Sequence, residues 1–333
     1  MGGPTTARST DPVPWLLEGD AAVRYATLTE LLGTSPDDPE AVATRRTIMT
    51  DGVVPQILAE QLDDGHWEGR DRFYRGAYRG TVWTLIILAE LGADGSDPRI
   101  RAGCEAVLRD SQDPQSGGFA MDRAKKTGGG RRSTVVPCLT GNMVWSLIRF
   151  GMLDDPRVQH GIDWITTYQR FDDGDGDAPT GWPYDHAEPC FGRHTCHMGV
   201  VKALKALAAI PVDRRSPDVV RTIDGGVDFM LKHHIHKRSH DVSRVAKPGW
   251  LRLGFPLMYQ TDIGEVLLVL TRLGVRDDRM TEALDALRRR ADGTGRWRLE
   301  STHNDRLVAP VETQGEPSRW VTLRALQVLR ASG

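Results

Sequence analysis

Between two glycines the chain runs Gly80-Thr-Val-Trp-Thr-Leu-Ile-Ile-Leu-Ala-Glu-Leu-Gly92, about three turns of helix carrying a single charge. A segment apolar on nearly every face reads as a buried helix, and its closing glycine suits the left-handed residue of a helix C-cap. Five further segments follow this plan: Ala21–Gly33, Gly141–Gly151, Gly199–Ala208, Gly264–Gly274 and Arg319–Leu329. The six starts are separated by 59, 61, 58, 65 and 55 residues, a spacing regular enough to mark an internal repeat. More polar, amphipathic helices opened by Asp-Pro or Asp-Asp lie between them, at Pro98–Leu108, Pro156–Ile165 and Asp277–Leu287. Glycine-aromatic turns join the two kinds: Asp64–Gly69, Gln115–Phe119, Thr180–Tyr184 and Gly293–Trp297.

A helical hairpin of this kind cannot bury its apolar face alone and needs neighbours on both sides. An even number of such hairpins closes into a double ring. The expected fold is therefore all-α, an α/α toroid of about six inner and five to six outer helices. No linker divides the chain, so residues 1–333 are expected to form one domain, with residues 1–14 flexible.

Composition bounds the function. An apolar fraction of 39 % supplies a large core, and no apolar run reaches the length of a membrane span. A net charge of −2 and a pI near 6.6 give no reason to expect nucleic acid or an anionic membrane. The N-terminus lacks the apolar region of a secretory signal, which predicts a cytoplasmic protein. In that compartment the four cysteines are buried, catalytic or metal-binding rather than a disulfide framework. Cys104, on an outer helix, reads as core.

The densest chemistry lies in Asp185-His-Ala-Glu-Pro-Cys-Phe-Gly-Arg-His-Thr-Cys-His-Met-Gly199. Cys196 stands three residues before Gly199, and Cys138 three before Gly141, so the two thiols occupy equivalent places in consecutive repeats. Packed helices have axes about 8–10 Å apart, close enough for side chains from both to share an ion. Cys138, Cys196 and His197 are thus expected to bind zinc, which takes Cys and His in tetrahedral sites and keeps a fourth position open when catalytic. Cys190 or His194 is a possible fourth ligand that would make the site closed and structural. The alternative reading leaves both thiols as small residues lining a helix contact.

The turns Gln112-Asp-Pro-Gln-Ser-Gly-Gly-Phe119 and Gly293-Thr-Gly-Arg-Trp297 resemble those of the prenyltransferase and squalene-cyclase repeat superfamily, whose fold is the α/α toroid. The resemblance covers nearly the whole chain and looks like a stand-alone bacterial branch. Cys138-Leu-Thr-Gly141 and Cys196-His197-Met-Gly199 also resemble the metal motif of lanthionine cyclases, and protein prenyltransferase β-subunits carry a zinc held by Asp, Cys and His. The resemblance implies a zinc-dependent enzyme acting in the cavity on an apolar, isoprenoid-like or thiol-containing small molecule. No Trp precedes Cys138, and the single carboxylate of Gln260-Thr-Asp262 replaces the Asp-x-Asp-Asp of terpene cyclases.

Polar residues at the remaining helix starts complete the expected site. Asp262, Tyr259 and His240 are candidate proton carriers, although a carboxylate at a helix start also serves as an N-cap. Arg131 and Arg132, beside the Gly128-Gly-Gly130 loop, and Arg244, in the long connector 238–259, are candidate anion contacts. Trp250 and Trp320 are candidate substrate contacts. His233, His234 and His236 read as the wet end of an outer helix, and Asp172-Asp-Gly-Asp-Gly-Asp177 as a solvated turn. Two rival readings stay open: a metal-free cyclase-like enzyme with Asp262 as the acid, and a non-catalytic scaffold with structural zinc.

Overall fold

A computed structural model describes residues 11–333. Among the described residues the fold is mainly helical, with four short strands. In chain order the helices are α1 (Val13–Leu17), α2 (Ala21–Ala26, continued by the wider turn Thr27–Leu31), α3 (Pro39–Ile48), α4 (Val53–Ala59), α5 (Thr81–Glu90), α6 (Pro98–Asp110) and α7 (Pro137–Arg149). They continue with α8 (Pro156–Tyr168), α9 (Glu188–Phe191), α10 (His197–Ala208), α11 (Pro217–Lys232), α12 (Ile263–Arg272), α13 (Thr281–Arg288) and α14 (Arg319–Ser332). Strands β1 (Lys237–Arg238) and β2 (Asp241–Val245) form an antiparallel hairpin, and β3 (Trp297–Arg298) pairs antiparallel with β4 (Pro317–Ser318).

All six apolar segments are helical, and they carry the centre of the core. Residues 81–89 of α5 are buried without exception. Gly92 and Gly151 end their helices at φ 71° and 76°, in the left-handed region that glycine enters without penalty. The amphipathic helices start as their sequences require: proline sits in the first turn of α3, α6 and α8. The preceding Asp38, Asp97 and Asp155 accept from the backbone N–H groups of Glu40, Arg99 and Arg157.

The glycine-aromatic turns are fastened to the buried helices by one recurring contact. A first-turn threonine accepts from the backbone N–H of the turn aromatic: Thr81 from Trp67 at 3.1 Å, Thr140 from Phe119 at 2.9 Å, and Thr322 from Trp297 at 3.0 Å. The indoles of Trp67 and Trp297 then reach back to Ile57 O and Leu287 O, both at 2.8 Å. Trp182 departs from this pattern and donates to Arg132 O, so the segment ahead of α10 takes its own path.

The buried helices touch in sequence, α5 to α7, α7 to α10, α10 to α12, α12 to α14, and α14 back to α2. Glu30, which follows α2, pairs with Arg149 of α7 and Arg272 of α12. The closest approach is that of α7 and α10, where a Cβ on Gly141 would lie 2.5 Å from the Lys202 backbone. Buried apolar residues from Leu16 to Val328 form one cluster. Of the stretch expected to be flexible, residues 1–10 lie outside the described residues, whereas Val13 and Pro14 open α1 with Val13 buried. Among the described residues no helix is long and apolar enough to cross a membrane.

Candidate metal centre

The neighbouring starts of α7 and α10 bring Cys138 and Cys196 into one region, joined by Cys190, whose carbonyl accepts from Cys196 N–H. Burial pushes the Cys138 thiol up, and the nearby thiols of Cys190 and Cys196 push it further. Burial likewise pushes the Cys190 thiol up to about 12. Cys104 is fully buried in α6.

His197 does not join them. Cys196 is the extended N-cap of α10 and His197 its first helical residue, and the His197 ring lies toward α11 and Trp250. It packs against Phe229 (4.9 Å between centroids), Trp250 (4.8 Å) and His233 (4.1 Å). Consequently Cys138, Cys196 and His197 do not assemble a set of donor atoms within ligand distance of one another.

Among the described residues, that arrangement is reached by Asp173, His194 and His240, whose donor atoms all lie within 4.8 Å of one another. Three separate pieces of chain deliver them. Asp173 belongs to the loop after α8, His194 to the approach to α10, and His240 to the turn between β1 and β2. The first two are joined by an antiparallel bridge between Asp173 and His194. Asp173 Oδ1 is 3.5 Å from His194 Nδ1, and Asp173 Oδ2 is 3.6 Å from His240 Nε2. Both separations are long for hydrogen bonds but near the edge, about 3.3–3.4 Å, of a tetrahedron with zinc–nitrogen and zinc–oxygen bonds of about 2.0–2.1 Å.

The carboxylate is well placed for a cation. Asp173 is 5 % exposed, and its Oδ2 receives no well-directed hydrogen bond. The Lys232 ammonium lies 2.8 Å from that oxygen, and His233 Nε2 lies 3.1 Å from Oδ1. Burial alone would raise the Asp173 carboxyl, but contacts from Lys232 and Ser239 and the neighbouring His233 hold it down to about 2. It is anionic at neutral pH. His240 Nε2 also meets Asp173 O at 2.7 Å, so a metal held by these residues would take the place of that contact and of the Lys232 ammonium.

The side facing solvent is open. His194 and His240 are exposed, and with Asp173, His197, His233 and Arg244 they line a cavity of about 420 Å³. Its rim carries Arg238 and Arg244 with Asp241 between them, while Lys237 is buried and pairs with Glu282. His197 Nε2 is enclosed at this cavity without a partner, and burial lowers its pKa to about 3, so the ring is neutral. Burial also lowers His233, which with His236 is buried rather than at a wet helix end.

The other expected residues fall elsewhere. Asp262 is the N-cap of α12, its Oδ1 accepting from Glu265 N–H and its Oδ2 from Gly254 N–H, both at 2.8 Å. Burial pushes its carboxyl up to about 6. A raised folded-state pKa contributes stability that is fully present below the ordinary aspartate range and is lost as pH rises through about 6. Asp262→Asn is therefore expected to flatten the stability profile between about pH 4 and pH 7, as read by melting temperature against pH. An unchanged slope would assign that dependence to other groups.

Tyr259 sits in an aromatic patch with Trp83 (6.2 Å), Tyr74 and Tyr78, on the Cys138 side. Trp250 covers His197, and Trp320 stacks on Phe255 at 4.7 Å. Arg131 and Arg132 line a separate cavity with Trp182, over which the Arg132 guanidinium lies at 3.9 Å. The structure thus gathers His194, His197, His240 and Arg244 around one cavity, which Cys138, Cys190, Cys196, Tyr259, Asp262, Arg131, Arg132 and Trp320 do not line.

Asp173, His233 and Lys232 are the residues that sequence reasoning left out. One signal pointed to them: seven of the ten histidines fall between residues 186 and 240, just after the acidic turn 172–177.

No known family profile matches the chain, and no curated protein matches it by sequence. A crystal structure of a protein from Actinoplanes is similar over 94 % of this chain and 89 % of its own, at 15 % identity and a TM-score of 0.43.

Proposed function

We propose that the helices close into an α/α toroid and that the chain is a zinc-dependent enzyme whose metal is held by Asp173, His194 and His240. The convergence of those three donors in one open cavity carries the reading. One carboxylate and two imidazoles suit zinc, and exposed faces on both histidines leave room for an exchangeable ligand. A zinc there would supply Lewis-acid polarisation or an ionised water at neutral pH. Arg238 and Arg244 favour an anionic small molecule over an apolar one. His197, neutral and unpartnered, positions a polar group of the substrate rather than exchanging a proton. Asp262, fixed as a helix cap, supports the cyclase-like reading poorly.

A second reading has one observation in its favour. The aromatic patch of Tyr74, Tyr78, Trp83 and Tyr259 beside Cys138 is the surface an apolar or thiol substrate would use.

Metal titration of the purified full chain against a chromophoric chelator decides between them. One equivalent of zinc is expected, weakened at least about tenfold by His194→Ala and by His240→Ala. Zinc binding that survives both changes but is lost in Cys138→Ser and Cys196→Ser would restore the cysteine set.

A further inference from the structure

Five of the buried helices meet around a second enclosed space, remote from the histidine cluster. Its lining includes Lys205 of α10, Glu265 of α12 and Arg324 of α14, with Glu90 of α5 and Trp320 of α14. At its rim Glu30 pairs with Arg149 and Arg272. Most of the charges inside are matched. Lys205 Nζ lies 2.5 Å from Glu90 Oε1 and 3.1 Å from Glu265 Oε1, and Arg324 Nη2 lies 2.9 Å from Glu90 Oε2.

Two donors are left over. Arg324 Nη1 and Trp320 Nε1 are buried without hydrogen-bond partners, in side chains only 8 % and 4 % exposed. An unpaired buried donor is costly, and each calls for a partner such as an ordered water or an ion. They are also linked in space. Residues four apart share one face of a helix, and both side chains pack on Phe255, Trp320 by stacking at 4.7 Å and Arg324 with its guanidinium 4.8 Å from the ring centroid.

The charge count points the same way. With Lys202, which shares Glu265, and Asp262, which neighbours Arg324, the lining and its surroundings hold five cations (Arg149, Lys202, Lys205, Arg272, Arg324) and four carboxylates (Glu30, Glu90, Asp262, Glu265), one positive charge in excess. The space is about 50 Å³, several times the roughly 10–15 Å³ that one water needs and too small for a metabolite of any complexity.

We infer that this space is a binding site for a small monoanion, of halide or short-carboxylate size, held by Arg324 Nη1 and Trp320 Nε1. Such an ion completes both donors and neutralises the excess charge in one step. Because folding alone brings the two donors into this buried space, the ion binds the folded state and stabilises it by mass action.

The probe is bromide. Crystals of the full chain soaked in sodium bromide are expected to show an anomalous peak within hydrogen-bonding reach of Arg324 Nη1 and Trp320 Nε1. In solution, bromide or acetate is expected to raise the melting temperature saturably above a bulky sulfonate at matched ionic strength. Trp320→Phe keeps the stack on Phe255 but removes one donor, and is expected to weaken that response about tenfold or more. Water alone at the two donors, with melting curves identical in bromide and sulfonate, overturns the assignment. So does a saturable response that Trp320→Phe leaves unchanged.

Discussion

Glu265→Ala is expected to lower folding stability by about 3–5 kcal/mol, the range seen when one partner is removed from a buried ion pair. Glu265 is 2 % exposed, and its carboxylate meets Lys202 Nζ at 2.8 and 2.6 Å as well as Lys205 at 3.1 Å. Lys205 keeps Glu90 after the change. Lys202 is wholly buried and keeps no carboxylate contact. Burial already lowers the Lys202 pKa, and Glu265 is the main influence opposing it. Without Glu265 the lysine must stay charged at great cost or release its proton on folding.

The variant should therefore gain stability as pH rises, since a depressed lysine pKa penalises folding most where the unfolded chain binds the proton. Denaturant unfolding at two pH values reads both effects. Exchanging the pair together, Lys202→Met with Glu265→Leu, is expected to recover most of the loss, because apolar replacement of a whole buried pair is often neutral. A loss below about 1 kcal/mol for Glu265→Ala, the scale of exposed pairs, would contradict the buried network.

Asp173→Ala is expected to abolish metal binding, with affinity falling beyond the roughly 10–100-fold typical of changes to supporting residues. It removes the only carboxylate of the trio and the group facing Lys232 and His233. Lys232→Met is expected to act in the opposite direction. The ammonium 2.8 Å from Asp173 Oδ2 competes with the metal for that oxygen, so its removal should tighten zinc by about tenfold, equivalent to 1.4 kcal/mol.

The same carboxylate sets an acid dependence. Its folded-state pKa, held near 2, lies below the ordinary aspartate value, so its contribution is present above about pH 4 and is lost as pH falls through about 2. Chelator competition on both variants, beside an unfolding curve, separates metal loss from unfolding. Unchanged zinc affinity in Asp173→Ala would remove the centre as proposed.

The sequence by itself determined where the buried helices lie, because an apolar segment of about three turns and its capping residues are local properties of the chain. It also indicated that the helix starts at Gly141 and Gly199 would be neighbours, since they hold equivalent positions in consecutive repeats. Tertiary structure alone decided which side chains meet. Residue type does not reveal which way a side chain at a helix start leaves the backbone, and the His197 imidazole packs on α11 and Trp250.

Asp173 looked like part of a solvated acidic turn, because nothing in Asp-Asp-Gly-Asp-Gly-Asp marks one carboxylate as the buried one. Its burial comes from a bridge to His194 and from the β1–β2 hairpin that lays His240 against it. Those contacts join positions 173, 194 and 240, and only the folded path of three loops brings them together. The charged interior has the same origin. Each lysine, arginine and glutamate on its own helix reads as a solvated face, and only packing the helices together makes them one another's surroundings.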